Sequence, residues 1–344
     1  MHQDWNSDIR PEKIKSLIVK FWTGHQKKAL FYRQLSVMLK SGISILVSLR
    51  QLKNQSISKE ISENLLFHIE KGQSLAYAME QSKNLFSTLE IKTVSAGEIS
   101  GNLAELFEKL ALYFETLQDV KYKLISGMIY PAILLHAAII IPAVPLLFTK
   151  SVFAFLARIL PPFILIYGAS FGIFFSYRVL SKPGMEEARD SLSLKLPLGF
   201  GKLFKKVSVI RFLQAFGCLY SAGLPAIEAI KISAKSSGNR VVEREIIKSG
   251  KLVEQGSSLS AAFSTNPFLP AIVIDMFQTG EQTGRLDETL EKAAWHLQQE
   301  VNLAVEAVLK IIPVVVYLIV ALYIASIVIS FYANYFSQIN SLLE

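Results

Sequence analysis

Cysteine occurs once in these 344 residues, at Cys218, so no internal disulfide can form and no second thiol is present to complete a redox site. A small apolar position in a helical core accounts for it. No stretch reads G-x-x-x-x-G-K-[ST]; without that phosphate-cradling loop the chain is not expected to hydrolyse nucleotide itself. The five histidines, His2, His25, His68, His136 and His296, show no metal-ligand spacing, and Asn-Gly and Asp-Gly, the usual hairpin turns, are both missing. No cofactor, metal or catalytic residue is therefore expected, and the chain reads as a non-enzyme. No hydrophobic run lies near Met1, so a cleavable signal peptide is not expected either.

Charge is missing from three windows. Residues 127–149, 159–177 and 311–343 contain no Asp, Glu, Lys or Arg, and a spanning helix needs about 20 apolar residues. The windows predict transmembrane helices at 127–149, 159–177 and 311–334. Pro131, Pro142, Pro145, Pro161 and Pro162 fall in the first two, where membrane helices tolerate proline and are expected to kink rather than break.

What is present in abundance is repetition. Gly97-Glu98-Ile99-Ser100-Gly101-Asn102-Leu103 and Gly280-Glu281-Gln282-Thr283-Gly284-Arg285-Leu286 align at a shift of 183 residues, with Glu105, Glu108 and Lys109 matching Glu288, Glu291 and Lys292. Phe31 aligns with Phe212 at 181, Gly72 with Gly256 at 184, and Pro131 with Pro313 at 182, each proline near the start of an apolar run. The chain is an internal duplication, each copy a soluble part followed by a span. Two equivalent soluble parts belong on the same side of a membrane, which requires an even number of crossings between them. Lys and Arg number 17 before residue 127 and 17 from Arg178 to Lys310, with only Lys150 and Arg158 between and none after; the positive-inside rule places both soluble parts in the cytoplasm.

The soluble parts read as helical. Leu103, Leu106, Phe107, Leu110 and Phe114 recur at three- and four-residue spacing with charges between them, and Ser87 with Glu90 and Asn102 with Glu105 fit capping boxes. The predicted fold is an all-α membrane protein: two homologous cytoplasmic bundles of about six helices each and three transmembrane helices. The boundaries read as an N-terminal segment 1–28, a first bundle 29–126, a span 127–149, an external loop 150–158, a span 159–177, a cytoplasmic connector 178–205, a second bundle 206–310, a span 311–334 and an external tail 335–344.

Candidate functional residues come from the duplicated motif. Gly97, Gly101, Gly280 and Gly284 suit helix corners. A corner needs no carboxylate, so Glu98 and Glu281 either cap a neighbouring helix or contact a partner or cation. Gly168 and Gly172 form a G-x-x-x-G pair for helix packing, within the chain or in a dimer. His136, polar within a span, is expected to bond a neighbouring helix. The net charge of +8, with Lys27-Lys28, Lys205-Lys206, Lys121 and Lys123 beside the bundles and spans, suits anionic membrane lipids; no recognised nucleic-acid module appears, so direct nucleic-acid binding is not expected.

With Gly-Glu-x-Ser/Thr-Gly-x-Leu in both copies and Lys123-Leu124-Ile125-Ser126-Gly127-Met128-Ile129-Tyr130-Pro131 at the first span, the chain resembles the type II secretion system F family over roughly residues 29 to 335, departing at Gly127, where a larger residue is usual. The resemblance implies a multi-pass platform protein of the bacterial inner membrane, homo-oligomeric, in a type II secretion, type IV pilus or competence pseudopilus machine. Its implied partners are a cytoplasmic assembly ATPase and the transmembrane helices of pilins or pseudopilins. Because only about 28 residues precede Ala29, the layout is most similar to the competence platform proteins of Gram-positive bacteria, which would make DNA uptake the purpose. A membrane-tethered signalling scaffold and a small transporter are the alternatives; a transporter calls for more spans and more polar residues at mid-membrane than His136.

Overall fold

The computed structural model describes residues 11–55, 59–82, 84–149, 151–182 and 184–343. His2, the first ten residues of the N-terminal segment, Lys150 and Glu344 lie outside them. The described residues form helices α1 (Pro11–Lys40), α2 (Ile45–Lys53), α3 (Lys59–Ile69), α4 (Leu75–Gln81), α5 (Thr88–Ser100) and α6 (Leu103–Ile140), then a 3-10 turn (Ile141–Ala143). They continue as α7 (Pro145–Thr149), α8 (Val152–Leu180), α9 (Glu186–Leu194), α10 (Phe200–Ser221), α11 (Ala226–Ser236) and α12 (Arg240–Glu254). The last three are α13 (Leu259–Ser264), α14 (Ala271–Thr283) and α15 (Leu286–Leu343). No strand occurs among the described residues. The six-helix series α1–α6 recurs as α10–α15, and the fold is all-α.

Local chemistry sets several of these ends. Ser87 and Glu90 close a capping box at the start of α5, and the Asn239 carboxamide accepts from the Val241 and Val242 amides at the start of α12. At Asn102 the expected capping box is instead a side-chain bond, Nδ2 donating to Glu105 at 2.7 Å. Helices α5 and α14 stop at Gly101 (φ 72°) and Gly284 (φ 70°) in the left-handed conformation, which costs a glycine no Cβ clash.

The chain divides into two compact units. One contains both repeated bundles, from Met1–Lys121 and Lys205–Val301. In its first repeat Phe31, Tyr32, Leu35, Leu49, Leu65, Met79 and Phe107 are wholly buried; in its second Phe212, Phe216, Phe263 and Phe277 are, with Phe212 and Phe216 stacked at 5.9 Å. Each such side chain contributes about 1.5–3 kcal/mol by leaving water, so each repeat carries a substantial core.

The other unit comprises Tyr122–Phe204 and Asn302–Glu344. Three helical stretches, Leu103–Thr149, Val152–Leu180 and Leu286–Ser337, are long and apolar enough to cross a membrane. Their ends differ from those expected of charge-free windows. Ser151 caps α8, accepting from the Ala154 amide, so most of the anticipated loop 150–158 is helical: Arg158 ends a charge-free window without ending a helix, because a long cation extends toward the interface. The expected connector 178–205 holds α9 and the start of α10, and α15 runs through the tail expected to begin at residue 335. In the first two windows, prolines act according to position. Pro131, Pro161 and Pro162 lie inside continuous helices, whereas Pro142 lies within a break into 3-10 geometry at Ile141–Ala143 and Pro145 starts the helix after it, since each lacks the amide a continuous helix would use.

Candidate functional site

The duplicated corner is built the same way twice. Helix α4 begins with three amides that have no partner inside the helix. Glu98, reaching over from α5, accepts from the Leu75 amide with Oε1 at 2.6 Å and from the Ala76 amide with Oε2 at 2.9 Å, while the Ser74 hydroxyl takes the Tyr77 amide at 3.1 Å. In the second repeat Glu281 accepts from the Leu259 and Ser260 amides and from the Ser260 hydroxyl, and Ser258 takes the Ala261 amide at 3.2 Å. A carboxylate at a helix N-terminus also meets the positive end of the helix dipole. The capped helices have only 7 and 6 residues and need such help, because helices that short are marginal alone.

The glycines of the motif divide the remaining work. A Cβ on Gly97 would lie 2.8 Å from Leu106 Cδ1, and one on Gly280 would lie 2.3 Å from Thr289 Oγ1 and 2.9 Å from the Leu286 Cα. These two let α5 and α14 lie against the helices that follow; Gly101 and Gly284 make the turn between. The motif is a corner whose carboxylate reaches back to cap the helix before it.

In the membrane-spanning unit, α6 and α15 cross where a Cβ on Gly127 would lie 2.4 Å from Leu309 Cδ2. Gly127 and Leu309 are repeat equivalents, 182 residues apart. Two identical large side chains could not share that point, and the notch in one copy receives the knob of the other. Lys123 Nζ donates to Asn302 Oδ1 at 2.9 Å on one side of the crossing, and the Tyr130 and Tyr317 hydroxyls bond at 3.0 Å on the other. Pro131 and Pro313 stand just beyond it inside unbroken helices. His136 joins α6 to α8 through a 2.8 Å bond between Nε2 and the Tyr167 hydroxyl. Gly168 and Gly172 have nothing within 4 Å of an added Cβ, so the pair meets no other part of the described chain; α8 contacts α6 through Tyr167 instead.

Sequence reasoning recognised Ser87–Glu90 as a cap and missed how deeply Glu90 is placed. Its carboxylate is fully buried and accepts from Lys28 Nζ (2.7 Å), Tyr32 Oη (2.7 Å), the Ser87 amide (2.7 Å) and the Ser87 hydroxyl (2.8 Å). Burial, then the adjacent carboxylate, pushes the Tyr32 phenol well above its ordinary value. Nearby, burial and the charges of Arg211, Lys121 and Lys28 hold His25 down to about 4, with its ring stacked on Phe114. The repeat alignment carried the missed signal: the equivalents of Lys28, Tyr32 and Glu90 are Val209, Leu213 and Val273, all buried and apolar. An ionic network occupies one copy where the other is greasy.

A groove of about 240 Å3 opens between the repeats, walled by α6 and α15 and floored by α10. Cys218 lies in its floor, its thiol pushed up to about 12 by burial, which leaves it unreactive at neutral pH. Lys109 spans the groove to donate to the Ser221 hydroxyl at 2.7 Å. Among the described residues no group of three or more His, Cys, Asp or Glu is placed to hold a metal ion.

Residues 31–149 and 212–333 each match the family model "Type II secretion system (T2SS), protein F". The chain is 31% identical to the type IV pilus assembly protein PilC of Thermus thermophilus, over 93% of this chain and 84% of that protein. It is 28% identical to PilC of Pseudomonas aeruginosa, over 91% and 90%, and 29% identical to the type II secretion system protein F of the same organism, over 81% and 74%.

Proposed function

Because the chain belongs to the type II secretion system protein F family, we propose that it is the inner-membrane platform of a fibre-assembling machine, coupling a cytoplasmic ATPase to the extraction of pilin-like subunits. The observation that carries this reading is the repeated family segment, each copy a helical bundle running into a spanning helix. A chain without a nucleotide-binding loop receives mechanical work through surfaces, and two related bundles offer a pseudo-symmetric pair of them. In this reading both bundles are cytoplasmic, as the Lys and Arg distribution favours, and the basic residues flanking the spans rest against anionic lipids. The spans hold the hydrophobic helix of a pilin, and Gly168 and Gly172 face a second copy of the chain or that pilin. DNA uptake is the finer form of this proposal, as the use to which the fibre is put.

Deletion of the gene tests the proposal. Loss of surface or periplasmic fibres with the pilins still made and processed is the expected result; normal fibres in the deletion strain would refute it. Charge reversal at exposed positions on both bundles, such as Lys251→Glu together with Lys53→Glu, should abolish co-purification of the ATPase, and retained binding would sink the docking step. Natural transformation measured in the same deletion strain decides the DNA-uptake purpose.

A further inference from the structure

At the groove between the repeats, three of four equivalent residues differ between the two copies. In the first repeat, where α1 packs on α6, Arg33 grips Glu115 with two nitrogens (Nε to Oε1 at 3.0 Å, Nη2 to Oε2 at 2.7 Å) and reaches Glu108 with Nη1 at 3.3 Å. Lys40 also pairs with Glu108. Alignment of the repeats carries Arg33, Lys40, Glu108 and Glu115 onto Gln214, Ser221, Glu291 and Gln298. The second copy has neither cation, has an amide in place of one carboxylate and keeps the other as Glu291, and all four residues line the groove.

The second repeat has no cation at the places of Arg33 and Lys40. The carboxamide oxygens of Gln214 and Gln298 are buried and make no hydrogen bond, while Gln214 Nε2 donates to Thr116 Oγ1 at 2.9 Å. Glu291 and Asp287, one turn apart on the α15 wall, form no ion pair among the described residues. The neighbouring cation, Lys109, is engaged with Ser221 and Glu105. Trp295, one further turn along α15, is 59% exposed and offers a flat aromatic face at the mouth, the surface on which a guanidinium stacks.

We propose that this groove receives an arginine side chain presented by a helix of a partner protein, which occupies in the second repeat the place that Arg33 fills in the first. The guanidinium fork pairs with Glu291, and its plane lies against Trp295. Lysine, a point donor without a plane, meets fewer of these groups. A helix laid between two helix walls is an ordinary mode of recognition, and Leu112 on the α6 wall contacts its apolar residues. The inference stands on the divergence of the two repeats and does not depend on which machine the chain serves.

The test uses the full-length protein in detergent with Trp5→Phe and Trp22→Phe, leaving Trp295 as the sole tryptophan. The probe is a short alanine–leucine helical peptide with one central arginine, compared with the same peptide carrying citrulline, which keeps the shape and loses the charge. Trp295 emission should report binding at least tenfold tighter for the arginine peptide, and Glu291→Gln should erase most of that difference. Gln214→Arg with Gln298→Glu, which rebuilds the ion pair of the first repeat, should abolish arginine-peptide binding without lowering the thermal unfolding midpoint. Equal affinity for the two peptides, or undiminished binding by the folded double variant, would overturn the proposal. Should the double variant unfold early, the comparison of parent with Glu291→Gln decides alone.

Discussion

Glu98 gives the sharpest test of how the duplicated corner works. Its carboxylate accepts the Leu75 and Ala76 amides while Ser74 independently accepts the Tyr77 amide. Glu98→Ala therefore strands two helix-terminal donors and leaves the third satisfied. Loss of a cap costs about 1–2 kcal/mol, and loss of the charge facing the helix dipole about 0.3–1 kcal/mol more. The sum of about 2 kcal/mol, at 1.4 kcal/mol per factor of ten, is about a thirty-fold rise in local opening. Hydrogen exchange of the full-length protein is the assay: the amides of Leu75 and Ala76 should exchange about thirty-fold faster, and the Tyr77 amide should change least. Glu98→Gln keeps one accepting oxygen and loses the charge, so its effect should fall near the middle on a logarithmic scale. Glu281→Ala should act in the same way on Leu259 and Ser260. An exchange rate within threefold of the parent in Glu98→Ala would refute the capping role. Unchanged exchange in Glu98→Gln combined with lost fibre assembly would assign the carboxylate to a partner instead.

Three further outcomes are expected from the geometry. Glu90→Ala, which leaves Lys28 facing a buried void, should destabilise the bundle unit by about 3 kcal/mol or more, whereas the triple change Lys28→Val, Tyr32→Leu, Glu90→Val should be close to neutral in thermal unfolding, since the second repeat already packs those residues. Gly127→Leu should cost about 1–3 kcal/mol by overpacking against Leu309, and adding Leu309→Gly should recover most of it; a double variant as unstable as the single would show that the two side chains do not share that point. His25, held at about 4 in the folded chain against an ordinary value of 6.5, takes up a proton more readily when unfolded. Its contribution to stability is therefore complete above about pH 6.5 and is lost as pH falls toward 4. Urea midpoints measured between pH 7 and 5 should decline in the parent and decline less in His25→Gln.

Much of the architecture was legible because its signals are local or repeated. Apolar runs without charge reveal spans in any context, since a bilayer penalises each charged group wherever the rest of the chain lies. The six-helix repeat showed in glycines and caps, whose conformational demands belong to a few adjacent residues. Helix ends in the membrane-spanning unit were less legible: Arg158 ends a charge-free window but not α8, and Pro142 breaks a helix while Pro131 does not. The difference depends on where neighbouring helices can satisfy the freed backbone groups. Glu98 and Glu281 stood out by sequence as carboxylates that a turn does not require, but the amides that they meet come from helices more than twenty residues earlier.

The sequence by itself determined that the chain is duplicated, helical, membrane-spanning and a member of a secretion and pilus family, because periodicity, composition and motif are properties of short segments. Only the tertiary structure decided that the shared carboxylates cap short helices, that Gly127 receives its own repeat-equivalent Leu309, and that Glu90 lies in a buried ionic network while its counterpart Val273 does not. It also decided that Gln214 and Ser221, at the places of Arg33 and Lys40, line a groove beside Glu291 and Trp295. Each of these is a meeting of residues distant in sequence, and the energy of a contact depends on what burial removes from water around it, which no single segment of the chain records.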